Sequence, residues 1–425
     1  MPFPSHTLLA KLRVLKSLVI ITIGVMVSSH AYAQSGYVYV TDYGTGDLLR
    51  YNYTYTAGAY TFTPSNTAGG GVTTSAILTT GAAMKGGIAG TRNDLIISTQ
   101  TNTALARYNF DGTLINSITV NNGAFTGSAT GTVQTANATH TFSNIGDIMI
   151  SNDGRYLYVA EGSSVATHAT NNGVISKIDL TTNKIVAQQT MQGAQAIFIS
   201  ADQSTIYVGN EYGSTGQAMV KAFDANLSTT GTQLAGFAGT ASASGATVNV
   251  ASIRDLAVVN NKLYMLDQNS GQTRNQSTMV VATVAGTGSA ITFSSASTNN
   301  VNATTIENSG GMDVGLDNNL YIATVGSGQP GTPTFTVSGN YVNGIKSFNT
   351  TSNAEGSVTG LNGYNNNSGV TPASGLASPI FIEFSSSFAG TNDQGTPEPG
   401  TCALMLTSSV TAAFMYRRRK KLSCK

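Results

Sequence analysis

A short strand motif recurs six times along this chain, and this repeat constrains the fold more than any other feature. Its pattern is apolar-Tyr-apolar-small-polar, as in Val38-Tyr39-Val40-Thr41-Asp42 and Leu157-Tyr158-Val159-Ala160-Glu161. The tyrosine, which is an isoleucine in the second copy, occupies positions 39, 96, 158, 207, 264 and 321, so successive copies are 49 to 62 residues apart. A near-constant period of this length indicates a repeat architecture.

Each repeat contains further strands in a fixed order. A shorter apolar strand precedes the tyrosine strand, as in Ile148-Met149-Ile150, and a turn such as Asn152-Asp153-Gly154 joins the two. Asn/Asp/Gly turns tolerate left-handed backbone and reverse the chain within a few residues. A third strand ends in a bulky apolar residue plus Asn or Asp, as in Ile178-Asp179. A polar turn then leads to a fourth strand, as in Lys184-Ile185-Val186-Ala187.

Four antiparallel strands in a repeat too short to bury its own faces are typical of a β-propeller blade. The period-2 alternation and the 47 glycines exclude helical repeats. The coils of a parallel β-helix are much shorter than this period, and an array of β-sandwiches would lack the regular four-strand order. We therefore predict an all-β fold, a single β-propeller of six blades. Seven blades stay possible if the stretch 283–305 contains additional strands.

The two ends of the repeat region predict how the ring closes. The first copy begins at Tyr37 with its tyrosine strand and lacks the strand that precedes it in other copies. An apolar segment of the missing type, residues 380–384, appears only after the sixth copy. We expect this segment to complete the first blade, which would remove an open seam of unpaired strand edges.

The N-terminus has the pattern of a secretory signal peptide. Three basic residues precede an apolar run over residues 17–27, and Ala31-Tyr32-Ala33 supplies a small-residue cleavage site. A permanent membrane anchor would need about 20 apolar residues, which is more than this run contains. We expect cleavage after Ala33.

The C-terminus carries a second signal. A Pro-Glu-Pro motif is followed by an uncharged stretch over residues 401–416 and then by a basic cluster. The residues of the two motifs are Pro397, Glu398, Pro399, Arg417, Arg418 and Arg419. In motif, span and order this tail resembles the PEP-CTERM sorting tail of Gram-negative bacteria. The resemblance implies export by the Sec machinery, transient membrane contact through the tail, and processing by an exosortase, a membrane protease-transpeptidase.

These signals define the expected organisation and location. We predict a signal peptide over 1–33, a propeller over 34–390, a linker with the Pro-Glu-Pro motif over 391–400 and a sorting tail over 401–425. The protein is then expected to cross the inner membrane of a Gram-negative bacterium and to reach the cell surface or the medium. Partners implied at that location are exopolysaccharide or other surface proteins.

Composition bounds the chemistry of the body. Residues 34–396 contain 12 basic and 19 acidic side chains, a net charge of −7. A mildly acidic body without a basic cluster provides no electrostatic footprint for nucleic acid. Both cysteines of the chain, Cys402 and Cys424, lie in the predicted tail, so the body contains neither a disulfide nor a thiol.

The third repeat carries a further resemblance. Its tyrosine strand, followed by Val174-Ile175-Ser176-Lys177-Ile178-Asp179 and Lys184-Ile185-Val186, resembles the YVTN repeat of bacterial surface propellers. The resemblance covers the six repeats and implies a propeller fold. It does not identify a function, because function varies widely among propellers.

Polar side chains close the tyrosine strands of all six repeats. They are Asp42, Thr99, Glu161, Asn210, Asp267 and Thr324. Strand direction places them on the same face as Asp147 and Asp255, which open first strands. Carboxylates near a central channel can bind a divalent cation such as Ca²⁺, and gluconolactonase-like propellers hold a catalytic metal in that region. The candidate ligands are Asp42, Glu161, Asp267, Asp147 and Asp255. We favour the alternative that these side chains bond their own backbone where loops begin.

Other candidate residues are expected to be structural. Lys177, Arg50 and Arg107 lie near the ends of third strands, where we expect them to extend over a blade face. The tyrosines are expected in the core or between blades, and His168 in a solvated loop.

Two classes of function therefore stay open. The first is a non-enzymatic surface or matrix propeller that binds carbohydrate or protein, without catalytic residues or a cofactor. The second is a metal-dependent propeller hydrolase or lactonase. We favour the first class because catalytic groups are scarce in the body, although a structural Ca²⁺ is compatible with it.

Overall fold

The structure is a computed structural model of the full chain. It describes residues 33–42, 47–67, 73–74, 76–79, 87–98, 104–123, 137–142, 144–162, 173–191, 193–210, 220–233, 241–243, 246–248, 253–268, 277–286, 292–300, 307–325, 342–365 and 379–388. The predicted signal peptide, the predicted sorting tail and His168 lie outside these residues.

The chain divides into two compact units. The larger comprises Ser35–Tyr55 and Ala59–Thr391. The smaller comprises Met1–Gln34, Thr56–Gly58 and Asn392–Lys425, of which the structure describes only residues 33–34 and 56–58.

The described residues form an all-β structure in which six antiparallel sheets each contain four consecutive repeat strands. In sheet 1 the order is β3 (Ala59–Pro64), β2 (Asp47–Thr56), β1 (Gln34–Asp42) and β30 (Pro379–Phe384), and β6 (Ala76–Thr79) also pairs with β2. In sheet 2 it is β10 (Leu114–Ile118), β9 (Leu105–Tyr108), β8 (Leu95–Ser98) and β7 (Ile88–Gly90). In sheet 3 it is β15 (Lys184–Thr190), β14 (Val174–Asp179), β13 (Tyr156–Glu161) and β12 (Ile145–Ile150), with the short β11 (Asn121–Asn122) parallel to β15.

The last three sheets repeat this order from first to fourth strand. Sheet 4 contains β16 (Ala194–Ile199), β17 (Thr205–Asn210), β18 (Val220–Asp224) and β19 (Thr232–Gln233). Sheet 5 contains β22 (Ile253–Val259), β23 (Lys262–Gln268), β24 (Ser277–Ala285) and β25 (Thr292–Asn300). Sheet 6 contains β26 (Glu307–Val314), β27 (Leu320–Val325), β28 (Val342–Asn349) and β29 (Ala354–Asn365). Two small hairpins pair β4 (Asn66–Thr67) with β5 (Thr73–Thr74), and β20 (Ala241–Ala243) with β21 (Ala246–Val248).

The predicted four-strand repeat is confirmed, with the tyrosine strand second in every sheet. The stretch 283–305 does contain strands, as the seven-blade alternative required. They are the end of β24 and the whole of β25, and so they complete sheet 5 rather than form another sheet. The first strand of sheet 2, β7, was not predicted.

The turns between first and second strands have the left-handed backbone that their Asn, Asp and Gly content predicts. Five residues in these turns have positive φ values: Gly154 at 71°, Gln203 at 60°, Asn260 at 50°, Asn261 at 60° and Asn318 at 58°. Such values are tolerated best by Gly and by short polar side chains. The predicted turn chemistry is therefore confirmed.

The first and last strands of the described chain pair within one sheet. β1 and β30 are antiparallel, with Val38 opposite Phe384, Tyr39 opposite Glu383 and Val40 opposite Ile382. The prediction that residues 380–384 complete the first repeat is confirmed.

A 3-10 turn over Ser385–Ser387 follows β30 and brings Phe388 into the core. The Phe388 ring stacks on Tyr39 at a centroid distance of 5.6 Å and on Phe110 at 5.8 Å. A Cβ atom at Gly90 would collide with this ring. Glycine at position 90 therefore makes room for Phe388 between sheets 1 and 2.

The hydrophobic core lies between sheets. Six clusters of buried side chains each combine residues of two sheets, in the pairs 1–2, 2–3, 3–4, 4–5, 5–6 and 6–1. The first strands also contact one another in chain order, β7 with β12, β12 with β16, β16 with β22, β22 with β26, and β26 with β30. β30 in turn contacts β7.

Candidate functional site

The polar residues that close the tyrosine strands are buried. Asp42, Glu161, Asn210, Asp267 and Thr324 are all at most 3% exposed. Thr99, the sixth member of this set, lies outside the described residues. Register explains the shared level, because Glu161, Asn210 and Asp267 each lie opposite the residue that begins the first strand of their own sheet.

Glu161 lies in a polar cluster that sequence reasoning missed. His140 Nε2 lies 3.1 Å from Glu161 Oε1 and 3.2 Å from Oε2. Ser176 Oγ donates to Glu161 Oε1 at 3.1 Å, and Gln188 Nε2 donates to Ser176 Oγ at 2.9 Å. The His140 side chain is 14% exposed. A histidine oriented by a carboxylate is an arrangement that can act as a general base.

Asp147 and Asp255 lie in first strands and hold adjacent sheets together. Asp147 Oδ1 accepts from the N–H of Ile148 at 2.8 Å, and its Oδ2 accepts from the N–H of Ile197 in sheet 4 at 3.3 Å. Asp255 Oδ1 accepts from Leu256 N–H at 2.7 Å, and its Oδ2 from Met312 N–H in sheet 6 at 2.5 Å. Each carboxylate therefore spans two first strands.

Asp313 makes the same kind of bridge and was not singled out from the sequence. Its Oδ1 accepts from Val314 N–H at 2.6 Å, and its Oδ2 accepts from the N–H of Phe384 in the closing strand β30 at 2.7 Å. Glu383 precedes Phe384 in the same strand and is half-buried. We call Asp147, Asp255, Asp313 and Glu383 the inner carboxylates.

The inner carboxylates perturb one another's ionisation. Burial raises the pKa of Asp147 to about 7, and the charge of Asp313 acts in the same direction against the main-chain hydrogen bonds. Burial raises the pKa of Asp255 well above its ordinary value, with the charges of Asp147 and Asp313 adding to the effect. The pKa of Glu383 is raised by burial and then by the three aspartates. Like charges in a poorly hydrated site favour the neutral form.

The five predicted metal ligands are therefore distributed over two environments. Asp147 and Asp255 belong to the inner carboxylates, while Glu161 is engaged by His140 and Ser176. Within the described part of the chain, no group of three or more His, Cys, Asp or Glu side chains is arranged to hold a metal ion. A bound structural Ca²⁺ stays a prediction.

The tyrosines of the repeat link neighbouring sheets, as predicted. In three repeats the hydroxyl group donates to the carbonyl oxygen just beyond the third strand of the next sheet. The pairs are Tyr39 with Phe110 at 3.5 Å, Tyr158 with Ala225 at 2.8 Å and Tyr264 with Thr350 at 3.1 Å.

The three predicted surface cations contact protein groups. Lys177 Nζ lies 4.2 Å from the centroid of the Tyr156 ring, and burial lowers its pKa. Further contacts are Lys177 Nζ to Asn226 Oδ1 at 3.0 Å, Arg50 Nη1 to the Phe110 carbonyl oxygen at 2.6 Å and Arg107 Nη1 to Asp94 Oδ2 at 3.2 Å.

The predicted sorting motif, comprising Pro397, Glu398, Pro399, Arg417, Arg418 and Arg419, lies outside the described residues. In the part of the chain that the structure covers, which omits 1–32 and 389–425, no helix is long and apolar enough to cross a membrane.

Comparison with known proteins gives structural likeness only. No protein-family model matches the chain. No curated protein matches it either.

Among solved structures, a Bacteroides uniformis protein named as a 6-phosphogluconolactonase is 11% identical with a TM-score of 0.43, over 82% of this chain and 99% of that one. A gluconolactonase from Xanthomonas campestris is 12% identical with a TM-score of 0.34, over 70% and 87%. The hydrazine synthase of Kuenenia stuttgartiensis is 10% identical with a TM-score of 0.40; the match covers 63% of this chain and spans 62% of the length of that protein. Likeness at this level does not transfer an activity.

Proposed function

We propose that this chain is an exported six-bladed β-propeller that acts at the cell surface or in the extracellular matrix as a non-enzymatic binding or structural module. Its ligand class is carbohydrate or protein. The propeller occupies residues 34–390, between the signal peptide and the sorting tail. The fold, the inner carboxylates and the two terminal signals support different parts of this proposal.

The closed ring is supported by the order of contacts. Each of the six sheets packs on the next through a buried cluster, and the sixth packs on the first. The first strands follow the same order and return from β30 to β7. Pairing of β1 with β30 places both ends of the chain in one sheet, so neither end leaves an open seam.

The binding-module assignment rests on one observation, the bridging role of Asp147, Asp255 and Asp313. Both oxygens of each carboxylate accept main-chain N–H groups, one from its own strand and one from the next sheet. These side chains satisfy buried donors and hold first strands in register. A metal bound through the same oxygens would compete with the bonds that join the sheets.

Export and sorting rest on the sequence. The signal peptide directs the chain to the Sec machinery, and the PEP-CTERM-like tail presents it to an exosortase after transient membrane contact. The mature protein is then released at the surface without residues beyond the Pro-Glu-Pro motif. Intact-mass analysis of protein extracted from the surface of the native host tests this. A mass that still includes Arg417 to Lys425 would contradict sorting, even if the propeller folds as described.

Ligand binding is tested with polysaccharide isolated from the native host as the probe. The surface-extracted protein should co-sediment with the polysaccharide, while heat-unfolded protein of the same concentration should not. Failure to co-sediment, together with failure to retain any host surface protein on an immobilised sample, would contradict the binding-module assignment.

The alternative is a metal-dependent propeller hydrolase or lactonase. The His140–Glu161 pair favours keeping this alternative, because it can supply a base at the strand-end level of sheet 3. Lactone and ester hydrolysis should be assayed with Ca²⁺, Zn²⁺ or Mn²⁺ beside an Asp267→Asn/Glu161→Gln double variant. These isosteric changes are preferable to alanine because both side chains are buried. Metal-dependent turnover that disappears in a folded double variant would replace the binding module by a hydrolase.

A further inference from the structure

A chain of carboxylate bridges ends on the strand that completes sheet 1. Asp255 in sheet 5 accepts from the N–H of Met312 in sheet 6. The next residue, Asp313, accepts from the N–H of Phe384 in β30. Glu383 lies directly before that acceptor site. The closing strand is therefore held on one side by pairing with β1 and on the other by a buried carboxylate.

This arrangement concentrates negative charge at low exposure. Asp147, Asp255 and Asp313 are 7%, 4% and 6% exposed. Charges that act on Asp255 and Glu383 come from other inner carboxylates and therefore have the same sign. Removing several carboxylates from water without opposite charges is costly. A proton on any one of them removes part of this cost.

The elements packed against the inner carboxylates do not supply a compensating cation. The neighbouring first strands β7 and β16 contain no titratable side chain. On the adjoining second strands, Tyr39 and Tyr321 lie opposite Glu383 and Asp313, and burial raises the pKa of both phenols, which keeps them neutral. Arg254 precedes Asp255 in β22, and strand alternation directs it to the other face of the sheet.

We propose that protons lock the closing strand, so that β30 is held firmly when the inner carboxylates share at least one proton and loosens as they become fully ionised. This rests on the proposed closed ring, and not on the proposed location or ligand. The lock acts on β30 because Asp313 bonds its backbone and Glu383 belongs to it. The protein would thus tighten in mildly acidic surroundings and loosen in alkaline ones.

The direction follows from proton linkage. A carboxyl group whose pKa is raised by folding stabilises the folded state fully below its unfolded pKa, near 4, and this contribution is lost as the pH rises through the folded pKa. For Asp147 that folded pKa is about 7. Turn carboxylates such as Asp153 and Asp202 have lowered pKa values, because serine hydroxyls donate to them, and they act only at lower pH. The range from pH 5 to pH 8 therefore isolates the inner carboxylates.

The test uses protein expressed from its full coding sequence and purified in the form that the cell produces. Melting temperature should fall as the pH is raised from 5 to 8. Hydrogen exchange of a peptide that covers residues 379–388, corrected for the intrinsic pH dependence of exchange, should accelerate over the same range. Glu383→Gln should raise the melting temperature at pH 8, leave it nearly unchanged at pH 5 and flatten the profile. Asp202→Asn, in an exposed turn, is the matched control and should retain the wild-type slope.

Two outcomes would overturn the lock. One is a wild-type melting temperature that rises from pH 5 to pH 8, and the other is a wild-type slope in a folded Glu383→Gln variant. If that variant does not fold, Asp255→Asn removes a charge from another strand and should flatten the profile in the same way. Fast exchange of residues 379–388 at every pH would instead contradict the closed ring itself, whereas slow exchange that is independent of pH contradicts only the lock.

Discussion

Replacing Phe388 by alanine is expected to destabilise the protein by about 3–5 kcal/mol, the usual cost of removing a buried phenylalanine ring. The ring is 4% exposed and stacks on both Tyr39 and Phe110. Alanine would leave a cavity over Gly90, and the glycine offers no side chain to fill it. Since domain stabilities are about 5–15 kcal/mol, the loss is a large fraction of the total.

Urea denaturation followed by circular dichroism measures this cost. The midpoint should fall while the slope stays unchanged, because the change removes stability without altering the surface exposed on unfolding. Leu114→Ala is the matched control, since Leu114 is 55% exposed on the outer strand of sheet 2 and its loss should stay within about 0.5 kcal/mol. A Phe388→Ala cost no larger than that of Leu114→Ala would refute the placement of Phe388 between sheets 1 and 2.

Two further predictions concern the links between sheets. Deleting residues 380–384 should lower the melting temperature far more than truncating the chain after residue 390, because only the deletion exposes the edge of β1; equal melting temperatures would contradict the closing role of β30. Tyr264→Phe should cost about 1–3 kcal/mol, because it leaves the buried carbonyl oxygen of Thr350 without its donor. Tyr37→Phe on the exposed surface is the control, and a similar loss in both variants would argue against the hydroxyl bridge.

Much of the fold could be predicted because its signals are local. Alternation in the tyrosine strands and the Asn/Asp/Gly turns identified the first three strands of most repeats. β25 was only an open possibility because its sequence, Thr-Phe-Ser-Ser-Ala-Ser-Thr-Asn-Asn, alternates little in hydropathy. β7 was missed because Ile88–Gly90 is three residues long and follows two glycines. Short outer and inner strands depend on pairing with neighbours more than on their own pattern.

The candidate site was less predictable because its partners are distant in sequence. Alignment of the repeats identified Asp147 and Asp255, but their acceptor role depends on N–H groups 50 and 57 residues away. Asp313 and Glu383 carried a usable signal, a charged residue flanked by apolar residues in a first strand, which the sequence reading did not use. His140 lies outside the repeat pattern, so nothing local connected it to Glu161.

The central claim, a ring closed by β30 within sheet 1, is tested most directly by disulfide trapping. Val40→Cys and Ile382→Cys, combined with Cys402→Ser and Cys424→Ser, place two thiols opposite each other in the β1–β30 register. The account predicts an intramolecular disulfide on mild oxidation, detected by mass and by mobility of the monomer, and much less of it for the out-of-register pair Val40→Cys with Phe384→Cys. A monomer whose thiols stay reduced in the first variant, or equal yields in both variants, would contradict the closed ring.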